Sequence, residues 1–218
     1  MNGPRRIRVK ICGMTRLADA RCAAEAGVDA LGFIFYAKSP RAIEPPAARA
    51  IIAELPPFVD AVGVFVDEAL QRVAEIATSC RLDYVQLHGA ESADYCRRLA
   101  TLIPCCRLLK AVRVGDQTTA GEVAPYQDCI QAYLLDTYQK RAVGGTGLTF
   151  DWALIDRLQL SKPFLLAGGL DVDNIAAALA TVWPYGVDAN SGLEDAPGHK
   201  NHDLVRRFIA AVRAFEAA

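Results

Sequence analysis

A thiol stands where an apolar run breaks into a turn: Ile7-Arg8-Val9-Lys10-Ile11-Cys12 is followed at once by Gly13. Far downstream, Tyr133-Leu134-Leu135-Asp136 closes an equally apolar run on a carboxyl. A thiol and a carboxyl facing one pocket are the parts of a proton-transfer site. Taken singly, each has a plainer use, the thiol as a small buried hydrophobe and the carboxyl as a helix cap or ion-pair partner. Only a fold that brings the two together gives them chemistry. Parallel strands closed into a barrel do so, because all their C-termini open onto one face.

The sequence alternates between short apolar runs and longer amphipathic stretches, which is the pattern of such a fold. The runs expected as strands are Val9–Cys12, Leu31–Phe35, Ala61–Val66, Tyr84–Leu87, Leu108–Arg113, Ala132–Asp136, Phe164–Ala167 and Gly186–Asn190. They are dense in Val, Ile, Leu and Phe rather than alternating polar with apolar, as in a parallel sheet covered on both faces. Between them helices are expected at Leu17–Glu25, Pro46–Glu54, Glu68–Thr78, Ala93–Leu102, Trp152–Leu158, Asn174–Ala180 and Asp203–Phe215, with a turn or two at Thr118–Glu122. Gly27 marks the end of the first. Asp203 is placed to cap the last, with Leu204, Phe208, Ile209 and Val212 as its buried stripe. About eight strand–helix units imply parallel pairing with right-handed crossovers. An open doubly wound sheet competes, but its G-x-G-x-x-G is absent, since the first strand ends Cys12-Gly13-Met14-Thr15. The expected fold is a single-domain (βα)8 barrel over residues 1–218, a length that suits roughly 200–250-residue barrels.

Composition narrows the functional classes. Hydrophobic residues make up 52% of the chain, enough for a sizeable core, and a formal net charge of −1 argues against a nucleic-acid binder. No apolar run approaches the roughly 18 residues that span a bilayer, so no membrane partner is expected. The basic start Met1-Asn2-Gly3-Pro4-Arg5-Arg6 lacks the apolar stretch of a signal peptide. The seven cysteines show no C-x-x-C spacing, which suits free thiols in a reducing cytoplasm. His88, His199 and His202 form no ligand cluster, and no metal is expected.

On a barrel, functional residues gather in the loops after the strands. Gly168-Gly169 after the seventh strand and Asn190-Ser191-Gly192 after the eighth are the loops that most often cradle a phosphate. Each alone reads better as a tight turn; two in these strands favour an anion. Gly144-Gly145-Thr146-Gly147 suits a mobile lid or a plain connection. Arg41, stiffened by Pro40, carries a guanidinium able to fork onto a carboxylate, or is a solvated surface arginine. Gln86 and His88 end the fourth strand, where they can bond substrate or serve the structure.

Taken in order, these segments resemble the phosphoribosylanthranilate isomerase family. The likeness rests on Val9-Lys10-Ile11-Cys12-Gly13-Met14-Thr15, Ser39-Pro40-Arg41, Gln86-Leu87-His88-Gly89, Leu135-Asp136, Gly144-Gly145-Thr146-Gly147, Ala167-Gly168-Gly169-Leu170 and Asp188-Ala189-Asn190-Ser191-Gly192-Leu193-Glu194. It implies a cofactor-free barrel that rearranges N-(5′-phosphoribosyl)anthranilate into 1-(o-carboxyphenylamino)-1-deoxyribulose 5-phosphate, an Amadori isomerisation in tryptophan biosynthesis. By the resemblance Cys12 is the general base, Asp136 the general acid and Arg41 the holder of the anthranilate carboxylate. Gly168, Gly169, Ser191 and Gly192 fall in the phosphate loops, and His88, Gly145 and Asp188 complete the substrate site. Ala189 stands where the family often has valine. The family holds monomers and dimers, so either state is expected. Two rivals remain: the related histidine-pathway ribotide isomerase, which uses paired aspartates rather than a thiol, and a non-catalytic phospholigand binder. Thiolate and acid must coexist near neutral pH, with Lys10 or a cationic intermediate favouring the thiolate and burial favouring the acid.

Overall fold

The computed structural model describes residues 6–115, 117–136 and 153–217. Within them eight parallel strands close into a barrel in sequence order, the eighth pairing back onto the first. These are β1 (Arg8–Ile11), β2 (Ala30–Ile34), β3 (Asp60–Phe65), β4 (Tyr84–Leu87), β5 (Arg107–Arg113), β6 (Ala132–Asp136), β7 (Phe164–Ala167) and β8 (Gly186–Ala189). The helices are α1 (Leu17–Glu25), α2 (Pro45–Ile52), α3 (Leu70–Cys80), α4 (Ala93–Leu102), α5 (Ala120–Val123), α6 (Ala153–Arg157), α7 (Ile175–Thr181) and α8 (His202–Glu216). A short antiparallel pair, β9 (Glu194–Ala196) and β10 (His199–Lys200), lies between β8 and α8.

The barrel separates two apolar populations by strand parity. Val62, Leu109, Ala111, Ala132, Leu134, Leu165 and Ala167 fill the interior. Their neighbours along the same strands, such as Ala61, Leu108, Tyr133 and Leu166, join the larger core that includes buried residues of the helices. Because the side-chain period of a strand is two, the inward set continues into the residues at the strand ends. Cys12, Ile34 and Val64 form a further small apolar layer in which the thiol is one wall.

Local departures from the expected elements have local causes. Helix α3 starts and ends two residues later than its expected bounds, since Ala69 is extended and Arg81 closes the helix in the left-handed region at φ 57°. Asp203 does not cap α8. The Asn201 side chain does, accepting from the backbone N–H groups of Asp203 and Leu204. The buried stripe shifts with the cap: Val205, rather than the half-buried Leu204, joins Phe208, Ile209 and Val212. Gly27 does follow α1 in the left-handed region, at φ 90°.

Asp29 fastens the N-terminal end of the barrel. Its carboxylate accepts from the Val9 backbone at 2.9 Å and pairs with Arg6, Arg8 and Arg213, the last reaching from α8. Burial raises the affinity of this carboxyl for its proton, but the Val9 N–H and the arginines outweigh it and hold the group below its ordinary value. On the same end Phe58 is 97% exposed, and Trp183 and Tyr185 are about half exposed. Among the described residues no helix is long and apolar enough to cross a membrane.

Candidate active site

At the C-terminal end of the strands, one cavity of about 280 Å³ is lined by Cys12 from the end of β1, Gln86 and His88 from β4, Asp136 from β6 and Asp188 from β8. Gly168 and Gly169 after β7, and Ser191 and Gly192 after β8, close one side of it. Thus the expected acid–base pair, the end of β4, Asp188 and both glycine loops share a single pocket. Two larger cavities, of about 520 and 890 Å³, lie on the N-terminal side, and neither contains Cys12 or Asp136. Size therefore does not mark the site; the convergence of titratable groups does. Gly145 lies outside the described residues.

The thiol is set in a charged but dry corner. Lys10, two residues before Cys12 and hence on the same inward face, is 1% exposed, and its ammonium lies 2.8 Å from an Asp188 carboxylate oxygen. Register explains the pairing, since Lys10 is opposite Asp188 in the β1–β8 ladder. Gly32 on β2 makes the room: a Cβ there would stand 2.7 Å from the Cys12 sulfur and 3.1 Å from the Lys10 nitrogen. Burial pushes the Cys12 thiol upward; Lys10 and Lys200 oppose it, and Asp188 reinforces it. The net direction is upward, so the resting site favours thiol over thiolate. Lys10 does favour the thiolate, as expected, but it does not decide the balance. Asp188 engages the lysine first, and desolvation of a residue only 5% exposed outweighs what remains.

Asp136 keeps 22% of its side chain exposed at the mouth of the cavity. Its backbone carbonyl accepts from Val114, which fixes the end of β6 against β5. The His88 Nε2 lies 3.7 Å from an Asp136 oxygen, beyond hydrogen-bond reach. On its other side His88 Nδ1 meets the Gln86 amide nitrogen at 2.8 Å, an arrangement in which Gln86 donates and Nε2 carries the ring proton. The Gln86 Oε1 is buried without a partner among the described residues. The loop that carries His88 is anchored from below. Lys110, 4% exposed on β5, donates to the carbonyls of Leu87 and Gly89 and pairs with buried Glu91 at 2.8 Å.

The two glycine loops form one surface. Gly168 and Gly169 are consecutive residues in the left-handed region, at φ 105° and 76°, a backbone that side chains rarely adopt. Gly192 presses against the same loop, where a Cβ would come 2.4 Å from the Leu170 carbonyl oxygen. Arg41 is not in the cavity wall. Its stem crosses Gly13 beside Cys12, and its guanidinium binds Glu194 through Nε at 3.0 and 2.9 Å and through Nη2 at 2.7 Å. Glu194, Lys200, Gly32 and the Lys110–Glu91 pair had no role in the sequence reading. A lysine inside an apolar strand was the one available signal, for Lys110 as for Lys10.

The fold is that of the (βα)8 enzymes, which keep their chemistry at this end of the strands. A sequence profile of the N-(5′-phosphoribosyl)anthranilate isomerase family matches residues 9–211. The isomerase of Geobacter metallireducens is 47% identical over 208 residues, covering 95% of this chain and all of the relative. A solved phosphoribosyl anthranilate isomerase holding reduced 1-(o-carboxyphenylamino)-1-deoxyribulose 5-phosphate superposes with a TM-score of 0.82 at 40% identity, over 95% of this chain and 99% of that one. Monomers generated from the dimeric Thermotoga maritima enzyme give 0.81 at 38% identity, over 95% and 98%. The chain belongs to the N-(5′-phosphoribosyl)anthranilate isomerase family.

Proposed function

We propose that the protein isomerises N-(5′-phosphoribosyl)anthranilate to 1-(o-carboxyphenylamino)-1-deoxyribulose 5-phosphate in tryptophan biosynthesis, with Cys12 as base and Asp136 as acid. The observation that carries this reading is the meeting of both groups in one cavity beside the paired glycine loops. Asp136 protonates the ring oxygen, the C1′–O bond breaks, and the anilino nitrogen supplies the electrons that make an iminium. Cys12 takes the proton from C2′, the C–H electrons form the C1′=C2′ bond as the C1′=N π pair returns to nitrogen, and the resulting enolamine tautomerises to the ketone. The upward pressure on the thiol gives these events an order. A buried sulfur whose lysine neighbour is tied to Asp188 is a poor anion until a further cation is beside it, and the iminium is that cation. Ring opening therefore precedes deprotonation. The glycine loops hold the phosphate through backbone N–H groups, and Arg41 holds the carboxylate. Purified protein incubated with phosphoribosylanthranilate should consume the anthranilate fluorescence catalytically. Binding without turnover would favour a phospholigand binder, and turnover of the histidine-pathway ribotide alone would favour that rival.

We read the whole chain as one barrel domain, acting in a reducing cytoplasm, in keeping with its seven free cysteines. We also propose that it acts as a homodimer through the N-terminal end of the barrel. Phe58 protrudes there in the left-handed region at φ 71°, beside the cavity of about 520 Å³, and one family member is dimeric. Phe58 and the half-exposed Tyr185 border the same cavity, and contiguous exposed apolar surface marks interaction sites. Phe58→Asn suits the same backbone while removing the apolar ring. It should convert a sedimenting dimer into a monomer; a wild-type monomer, or a dimer indifferent to the change, would refute the assignment.

A further inference from the structure

We propose that Glu194 and Lys200 act together as positioning residues for Arg41, presenting its outer N–H fork, with a surplus positive charge, to the carboxylate of the substrate. The inference rests on the reading of Arg41 as the carboxylate holder.

A guanidinium offers two bidentate edges, one formed by Nε with Nη2 and one by Nη1 with Nη2. Glu194 occupies the first edge, with three contacts between 2.7 and 3.0 Å. Nη1 has no partner among the described residues, so the second edge stays open to another carboxylate. The Arg41 side chain is 19% exposed while that of Glu194 is 3% exposed, so of the pair it is the arginine that a ligand can reach. The clamp itself is rigid. Glu194 Oε1 accepts from the Gly198 backbone, and the Lys200 ammonium, fully buried, lies 2.7 Å from it and donates also to the carbonyl and side-chain oxygens of Asn190. Asn190 lies in the cavity wall next to Ser191.

Charge explains why the lysine is present. Arg41 paired with Glu194 alone would be neutral and would give a second carboxylate little net attraction. Lys200 on the same carboxylate leaves two cations against one anion. The buried glutamate orients the arginine without cancelling it.

The test measures KM and kcat for phosphoribosylanthranilate, and inhibition by inorganic phosphate, in wild type, Glu194→Gln, Arg41→Ala and the double variant. Glu194→Gln should raise KM about tenfold, the scale on which misplaced binding groups act, with kcat held within threefold and the phosphate inhibition constant unchanged. In the Arg41→Ala background the same change should add less than twofold. Because Glu194→Gln leaves Lys200 without its counter-charge, the Glu194→Gln/Lys200→Met pair is a second route that buries no lone charge; its KM should rise at least as far, since the second cation is gone as well. A Glu194 effect of equal size with and without Arg41, or one that moves phosphate inhibition as much as KM, would overturn the proposal. An Arg41→Ala variant with unchanged KM would instead remove the carboxylate reading on which it stands.

Discussion

Asp136→Asn is expected to lower kcat by about 10³- to 10⁴-fold, in the upper part of what positioned proton transfer contributes, with little change in KM or in the thermal midpoint. The amide has the shape and much of the hydrogen-bonding capacity of the acid, and the β6 end that carries it is held by backbone bonds to Val114 and by pairing with Arg113 and Ala167. What the amide cannot do is release a proton to the ring oxygen. Without that proton the C1′–O bond must break toward an alkoxide, and the iminium that recruits Cys12 does not form. Steady-state kinetics beside thermal melts of the same preparation separate this from unfolding. Near-normal turnover would move the acid to another group. His88, whose Nε2 lies 3.7 Å from Asp136, would be the first to examine.

The sequence made the barrel legible because its strands are buried on both faces. Tyr84–Leu87, Ala132–Asp136 and Phe164–Ala167 carry no polar alternation to blur their bounds, and all three agree with the structure. β1, β2 and β3 lie one residue before their expected bounds, β5 starts one residue early and keeps its end, and β8 starts as expected but ends one residue early. Once the strands are placed, parity puts Cys12, Asp136 and Asp188 on the inward face, and closure puts them at one mouth. What stayed hidden depends on distant chain segments. Arg41 meets Glu194 across 153 positions and Lys10 meets Asp188 across 178, pairings that exist only when the barrel has closed. The cap of α8 was hidden for a smaller reason: Asn201 and Asp203 are both capable acceptors two residues apart, and only the helix start decides between them. The resting state of the thiol was illegible because it is a balance of burial against three neighbouring charges, none with a magnitude in the sequence.

Cys12→Ser should lose about 10²- to 10⁴-fold in kcat, again the range of positioned proton transfer, and should also change the shape of the pH profile. In the active arrangement the base and the acid hold one proton between them: it leaves Asp136 for the ring oxygen, and Cys12 gains another from C2′. The rate therefore follows the singly protonated pair, whichever partner holds the proton at rest, and kcat/KM is level between the two macroscopic ionisations. Its alkaline limb marks loss of that last proton. Burial moves the Cys12 thiol upward against Lys10 and Lys200, so the limb should lie above the ordinary thiol value of about 8.5. The sign is testable in both directions. Lys10→Met removes a charge that favours the thiolate, and the limb should move further up. In Cys12→Ser the limb should vanish from the accessible range, because a hydroxyl does not ionise there. A serine variant with wild-type kcat and an unchanged alkaline limb would show that the sulfur takes no proton, and the base would have to be sought among the other groups of the cavity, Asp188 first because its carboxylate already faces the same lysine.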